Sequence, residues 1–219
     1  KTPLNYKYTI NNREIKSSNE LKYLGVTISS SLKWDKHIDN ITGLAKRKLG
    51  FLRRKLRNAP PSVKLLAYKT IVRPTLEYAA IIWDPHTKTE INKLERVQRL
   101  AARFIYSNYM RTQSVSLLLA RADLQSLATR RKIARLKFIY DLYHKNYKLD
   151  PSVYLRPPGR VSARTNHSFS VQAYVLRVDV FKFSFLVRSI VDWNALPPEV
   201  LTGCRSSQDF QRRLDLFFA

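Results

Sequence analysis

Cysteine is almost missing from this chain. Cys204 stands alone among 219 residues, which excludes a disulfide framework and a Cys-rich zinc site and points to a reducing compartment. Long apolar runs are missing as well. None approaches the ~20 residues that span a bilayer, and the opening residues do not read as a secretory signal. Glycine is scarce, with five residues at 25, 43, 50, 159 and 203, too scattered to cradle a phosphate. Neither the G-x-S-x-G elbow nor an H-E-x-x-H pair occurs. No two aspartates are adjacent, so the carboxylate cluster of two-metal phosphoryl transfer is not built locally. Acid is in short supply overall: 16 Asp and Glu face 40 Lys and Arg, a formal net charge of +24. The chain opens at Lys1 and its one methionine is Met110, so it reads as a piece of a longer frame.

What is present is globular. Apolar residues make up 44%, with 3 Trp, 12 Tyr and 10 Phe, enough buried surface to oppose disorder. Leu4, Tyr6, Tyr8 and Ile10 alternate with polar residues, the period of a half-buried strand, and Asn11-Asn12 signals a turn. A second strand is expected at 14–16. A third is expected at 22–28, where Gly25 suggests a bulge or a close backbone approach.

From Trp34 onward the period is helical. Ile38, Ile41, Ala45, Leu49, Leu52 and Leu56 mark one helix, which Pro60-Pro61 ends. A stretch over 63–83 follows, kinked or restarted at Pro74 and stopped at Trp83-Asp84-Pro85. Thr87 and Glu90 form a capping box for a helix over 87–106, and further helices are expected near 114–120 and 124–146. Residues 150–170 read as loop, 174–185 as a candidate strand, 188–196 as helix, and a last helix starts near Ser206. The fold class is α+β, mainly α: short N-terminal antiparallel strands (1–33), a multi-helix bundle (34–149) and a C-terminal extension (150–219).

The charge is localised. Between Asn40 and Leu76 stand ten basic residues and no acidic one. Lys46, Arg47, Lys48, Arg53, Arg54, Lys55 and Arg57 fall opposite the Leu/Ile stripe. A one-signed helix face is unfavourable to fold unless it meets a polyanion, whereas an ordinary solvated face mixes signs. Nucleic acid held by its phosphates is the expected partner. Arg130, Arg131, Lys132, Arg135 and Lys137 form a second group, readable either as another phosphate-facing wall or as an ordinary amphipathic surface. A lipid surface is the weaker partner for the basic helix, since its other face is core-type and nothing suggests an anchor. His37 between Asp35 and Asp39, and Asp141 one turn before His144, read as surface polar pairs, because two ligands do not make a metal site. Trp193, Phe217 and Phe218 read as core.

Several motifs together carry a resemblance. Leu21-Lys22-Tyr23-Leu24-Gly25-Val26, then Leu32-Lys33-Trp34 and His37-Ile38, resemble a segment of the reverse transcriptases of jockey-like non-LTR retrotransposons. Arg73-Pro74-Thr75-Leu76-Glu77-Tyr78-Ala79, Trp83-Asp84-Pro85, the stretch from Leu94 to Ile105, Leu127 with Arg130-Arg131 and Arg135-Leu136, and Arg188 to Pro197 are similar to later segments of that family, in the same order. The resemblance implies that Tyr23, Leu24 and Gly25 match the primer grip. It implies that the following helices are the thumb that closes on template–primer duplex (an RNA–DNA or DNA duplex, or element RNA). It also implies that the parent copies RNA into DNA with Mg²⁺ held by palm aspartates, in the nucleus and cytoplasm. The fingers, most of the palm and the paired aspartates have no counterpart here. The chain alone is therefore expected to hold no cofactor, to be inactive, and to need those missing parts as partners. A standalone, non-catalytic basic nucleic-acid-binding protein stays open as the alternative, as does a scaffold docking an acidic protein.

Overall fold

The computed structural model describes residues 7–110, 112–159, 167–175 and 178–219. Leu4 and Tyr6 of the first expected strand, and residues 160–166 of the expected loop, lie outside them. Two small antiparallel hairpins open the fold. β1 (Thr9–Ile10) pairs with β2 (Arg13–Glu14) around Asn11 and Asn12, at φ 49° and 60°, the left-handed backbone that asparagine tolerates. The second strand begins one residue earlier than its expected start at 14. Beyond it, the Ile15 amide still donates to the Tyr8 carbonyl at 2.8 Å. β3 (Glu20–Tyr23) pairs with β4 (Val26–Ser29). The single strand expected over 22–28 is therefore a hairpin. Leu24 and Gly25 take φ 45° and 85°, the paired left-handed turn that suits twisted strands. Gly25 makes a turn rather than a bulge.

The helices follow the apolar spacing. α1 (Asp35–Lys55) buries Ile38, Thr42, Ala45, Leu49 and Leu52, three to four residues apart, on one stripe. α2 (Pro61–Ala67) starts on Pro61, where a missing amide proton costs nothing. The next stretch is more broken than a kink at Pro74. One π turn (Tyr68–Val72) leads into α3 (Arg73–Glu77), and Ala79, at φ 51°, separates α3 from α4 (Ala80–Trp83). The Trp83 indole N–H donates to the Tyr78 carbonyl at 2.9 Å and pins that break.

α5 (Lys88–Ile105) starts as expected. The Glu90 amide donates to Thr87 Oγ1 at 3.4 Å, and the Thr87 hydroxyl donates to the Glu90 carboxylate at 2.7 Å. α6 (Val115–Arg121) and α7 (Leu127–Tyr143) follow, the latter capped by Ser126. The remaining elements are α8 (Pro151–Tyr154), α9 (Asp179–Lys182), α10 (Phe185–Asn194), α11 (Pro198–Leu201) and α12 (Ser207–Phe217). Ser206 caps α12 through the Asp209 amide at 3.1 Å. The strand expected over 174–185 is not there: its described residues are irregular, then α9, then the start of α10. Aromatic residues there pack singly, as Tyr174 does on Phe181, rather than on alternate faces.

Apolar burial gathers into two cores. The first runs from Val26 through Trp83 and Phe104 to Leu127. The second runs from Ile133 through Trp193 to Phe210 and Leu214. α7 contributes to both, so the cores divide inside this helix rather than at the expected 149/150 division. Trp193 is fully buried, as expected, and its indole donates to the Phe169 carbonyl at 2.8 Å. Phe217 is half exposed and does not belong to the core.

A cluster of charge bridges the two cores. Asp84 follows α4 and is nearly enclosed. Arg131 Nε donates to its Oδ1 at 2.7 Å, Arg135 Nε lies 2.9 Å from Oδ2, and Arg188 Nη2 lies 3.1 Å from Oδ2. Arg135 Nη2 also donates to Asp192 Oδ2 at 2.9 Å, and Lys132 Nζ lies 3.1 Å from Asp192 Oδ1. Burial drives the Arg188 pKa below its ordinary value, with neighbouring Arg135 and Arg131 acting in the same direction and Asp84 and Asp192 against it.

Candidate nucleic-acid interface

The outer face of α1 carries the basic run. Lys46, Arg47, Arg53, Arg54 and Lys55 are exposed, Lys48 is partly buried, and Arg57 is exposed just past the helix end. Arg53, Arg54 and Lys55 occupy the last turn, where the partial negative charge of the carbonyl ends favours cations. Among the described residues none of these seven side chains makes an ion pair.

At the C-terminal end of α1 the face turns into a groove of about 640 Å³. Arg53, Arg54, Arg57, Asn58, Lys64, Phe104, Ser107 and Tyr109 line it, and no carboxylate does. Lys64 is 4% exposed. Its ammonium donates to Ser107 Oγ at 2.7 Å and sits 5.7 Å from the Phe104 ring centre. The Arg53 guanidinium lies 5.6 Å from the ring centre of Tyr109. A groove with four cations and an aromatic rim can hold phosphate oxygens and stack a planar group. Lys64, Asn58 and Tyr109 were not among the site residues expected from sequence. One signal for Lys64 was available: Lys64, Tyr68 and Val72 recur every four residues, and all three are buried.

The hairpin turn and the basic face meet on one short helix. The Tyr78 hydroxyl, just past α3, donates to the Leu24 carbonyl at 2.9 Å. One turn earlier, Lys48 Nζ donates to Thr75 Oγ1 at 2.7 Å and to the Ile71 carbonyl at 3.3 Å. Tyr23 and Leu24 are 62% and 72% exposed. Beside that turn, in β4, the Thr27 amide donates to Nδ1 of His37 at 3.2 Å. His37 is buried against the Trp83 ring, with its pKa lowered by desolvation. It is a core histidine and not the surface pair expected with Asp35 and Asp39. Asp141 is buried too. It accepts from Asn146 Nδ2 and Ser207 Oγ, both at 2.9 Å, rather than forming a surface pair with His144.

The second basic group is placed differently from a phosphate-facing wall. Arg131 is 2% exposed and Arg135 3%, both turned inward to Asp84. Arg130 is partly buried and bound to Glu77. Lys137 donates to Gln211 Oε1 at 3.0 Å. The partners that hold these cations, carboxylates for the three arginines and an amide for Lys137, lie far away in sequence, so a local count of acids could not see them. No helix among the described residues is long and apolar enough to cross a membrane. No three His, Cys, Asp or Glu side chains among them come together to hold a metal ion.

No family model and no solved structure matches the chain. Two curated proteins do. Both are RNA-directed DNA polymerases from mobile element jockey: that of Drosophila melanogaster is 29% identical over 112 residues, and that of Drosophila funebris 32% over 114. Each match covers 49% of this chain and 12% of the relative's length. The ordered motifs and these two matches agree, and the chain is related to the reverse transcriptases of jockey-like retrotransposons.

Proposed function

We propose that this chain grips template–primer duplex by its phosphates and does no polymerase chemistry itself. One observation carries the reading: the cations of residues 46–57 make no ion pair among the described residues and lead into a carboxylate-free groove with Lys64 and Tyr109. Unpaired cations of one sign cost folding energy through mutual repulsion, and a polyphosphate backbone removes that cost. The turn at Tyr23, Leu24 and Gly25, tied by Tyr78 to the helix that also receives Lys48, supports a primer-positioning role for that turn. The exposed apolar residues Ile10, Leu21, Tyr23 and Leu24, spread over the two hairpins, suit strands that extend the sheet of a larger palm. The missing palm and fingers would act as partners, with Mg²⁺ held by the palm aspartates.

The alternative, a standalone binding module, draws support from the two filled cores. Fluorescence anisotropy separates the readings. The full chain is titrated with an RNA–DNA hybrid, a DNA duplex and poly-glutamate across a salt series. The logarithm of affinity for the duplexes should fall steeply with the logarithm of salt. Changing Lys46, Arg47, Arg53 and Arg54 to Gln should flatten that slope by roughly 3–4, near 0.9 per lost phosphate contact. Equal binding of poly-glutamate, or an unchanged slope, overturns the reading. A preference for hybrid with a recessed primer end favours the polymerase fragment, and indifference to the end favours the standalone module.

A further inference from the structure

Away from α1, a cavity of about 560 Å³ opens beside the Asp84 cluster, between the residues after α4, the start of α7, and α9 with α10. Its wall holds five cationic side chains, Arg131, Lys132, Arg135, Lys182 and Arg188, against the carboxylates of Asp84 and Asp192. Part of the imbalance lies below the surface. Arg131 and Arg135 are almost completely buried, and a buried charge without a counter-charge is strongly disfavoured. Arginine cannot relieve this by losing its proton.

The geometry shows where the shortfall lies. Arg131 spends Nε on Asp84, while its buried Nη1 and Nη2 have no hydrogen-bond partner among the described residues. Arg135 Nε is near Asp84 Oδ2 but too far off line for a hydrogen bond. One carboxylate thus serves three guanidinium groups and satisfies each in part. The opposite side of the cavity is flat and aromatic: His86 and Phe183 stack with ring centres 3.9 Å apart and planes within 5°.

We propose that this cavity is an anion site for a phosphate monoester, separate from the basic face of α1. The Lys132 and Lys182 ammonium groups and the exposed edge of Arg188 would meet the phosphate oxygens, above the buried positive charge of Arg131 and Arg135, and the Phe183 side would cover the group attached to the phosphate. The volume is of the size that holds small ligands. Phosphate suits it better than chloride because its several oxygens can meet separate cations at once. The same chemistry reaches the site from two sources: a free nucleoside monophosphate, or the phosphorylated end of a bound strand.

The test uses the full chain and the variant Lys132→Ala/Lys182→Ala. Both lysines stand at the rim, where Lys132 is partly exposed and Lys182 exposed, so the fold should survive their loss. Calorimetric titration at fixed ionic strength uses AMP, and a single-stranded oligonucleotide with and without a 5′-phosphate. Expected is binding to the wild type that weakens about tenfold or more in the variant. If AMP shows this loss the source is the free nucleotide. If only the 5′-phosphorylated strand shows it the source is the strand end. Equal affinities of wild type and variant for both phosphorylated probes overturn the proposal and leave the cluster a purely structural clasp. Duplex binding through α1, read on the same variant by its salt slope, should be unchanged, so failure of one site is distinguishable from failure of the other.

Discussion

Changing Asp84→Asn removes one negative charge and almost no volume. Around it Arg131, Arg135 and Arg188 stay in place, the first two with side chains 1% and 4% exposed. They cannot reach water without dragging α7 out of both cores. Breaking a buried ion pair from one side costs about 3–5 kcal/mol, because the remaining charge stays buried. Total stability for a domain is about 5–15 kcal/mol, so the loss is a large share of it. At this chain length each kcal/mol moves the melting temperature by about 2–4 °C, which predicts a fall of about 6–20 °C. Calorimetry and far-ultraviolet circular dichroism measure it. Lys46→Ala, an exposed change on α1, should stay within about 0.5 kcal/mol and serves as the control. Adding Arg131→Met to Asp84→Asn should recover part of the loss, since it takes away a charge the first change left unpaired. A fall below about 2 °C, or strictly additive effects, would refute the reasoning that Asp84 neutralises buried charge.

Two further outcomes follow from the N-terminal hairpin and its anchor. Burial holds the His37 pKa below 6.5 in the folded state, so its contribution to stability is full above 6.5 and is lost as pH falls through the lowered folded value. His37→Gln should therefore flatten the decline in melting temperature between about pH 7 and pH 5, and an equal slope in both proteins counts against the assignment. Gly25→Ala should cost about 1–2 kcal/mol through its φ of 85°, and little through contact, since the new Cβ would lie 3.4 Å from the Tyr78 ring. Urea unfolding that shows no change in midpoint would mean the turn relaxes freely.

Elements set by neighbours in sequence were legible in it. Thr87 with Glu90 and Ser206 with Asp209 announced two helix starts, and Pro60-Pro61 announced an end, because caps and proline act within one turn. The unpaired cations of α1 were legible for the same reason: their whole surroundings over 40–76 lack acid. What was not legible depends on distance along the chain. Arg131 and Arg135 look like surface cations until Asp84 and Asp192 are brought to them from 47 and 57 residues away. His37 looks like a surface residue until Trp83 covers it. The hairpin at Leu24 was hidden for another reason, since leucine rarely takes positive φ and the aromatic and β-branched residues on either side, Tyr23 and Val26-Thr27-Ile28, run on as one strand-like stretch.

The sharing of α7 between the two cores sets the shortest autonomous piece of this molecule. A cut at the division suggested by the loop, near 150, would leave a downstream piece without Ile133, Leu136 and Ile139. A cut ahead of 127 would strip the upstream piece of Leu127. Neither half carries its own complete interior, so a split of this chain into two expressed halves should yield soluble protein only when the halves are made together and reassemble around that one helix.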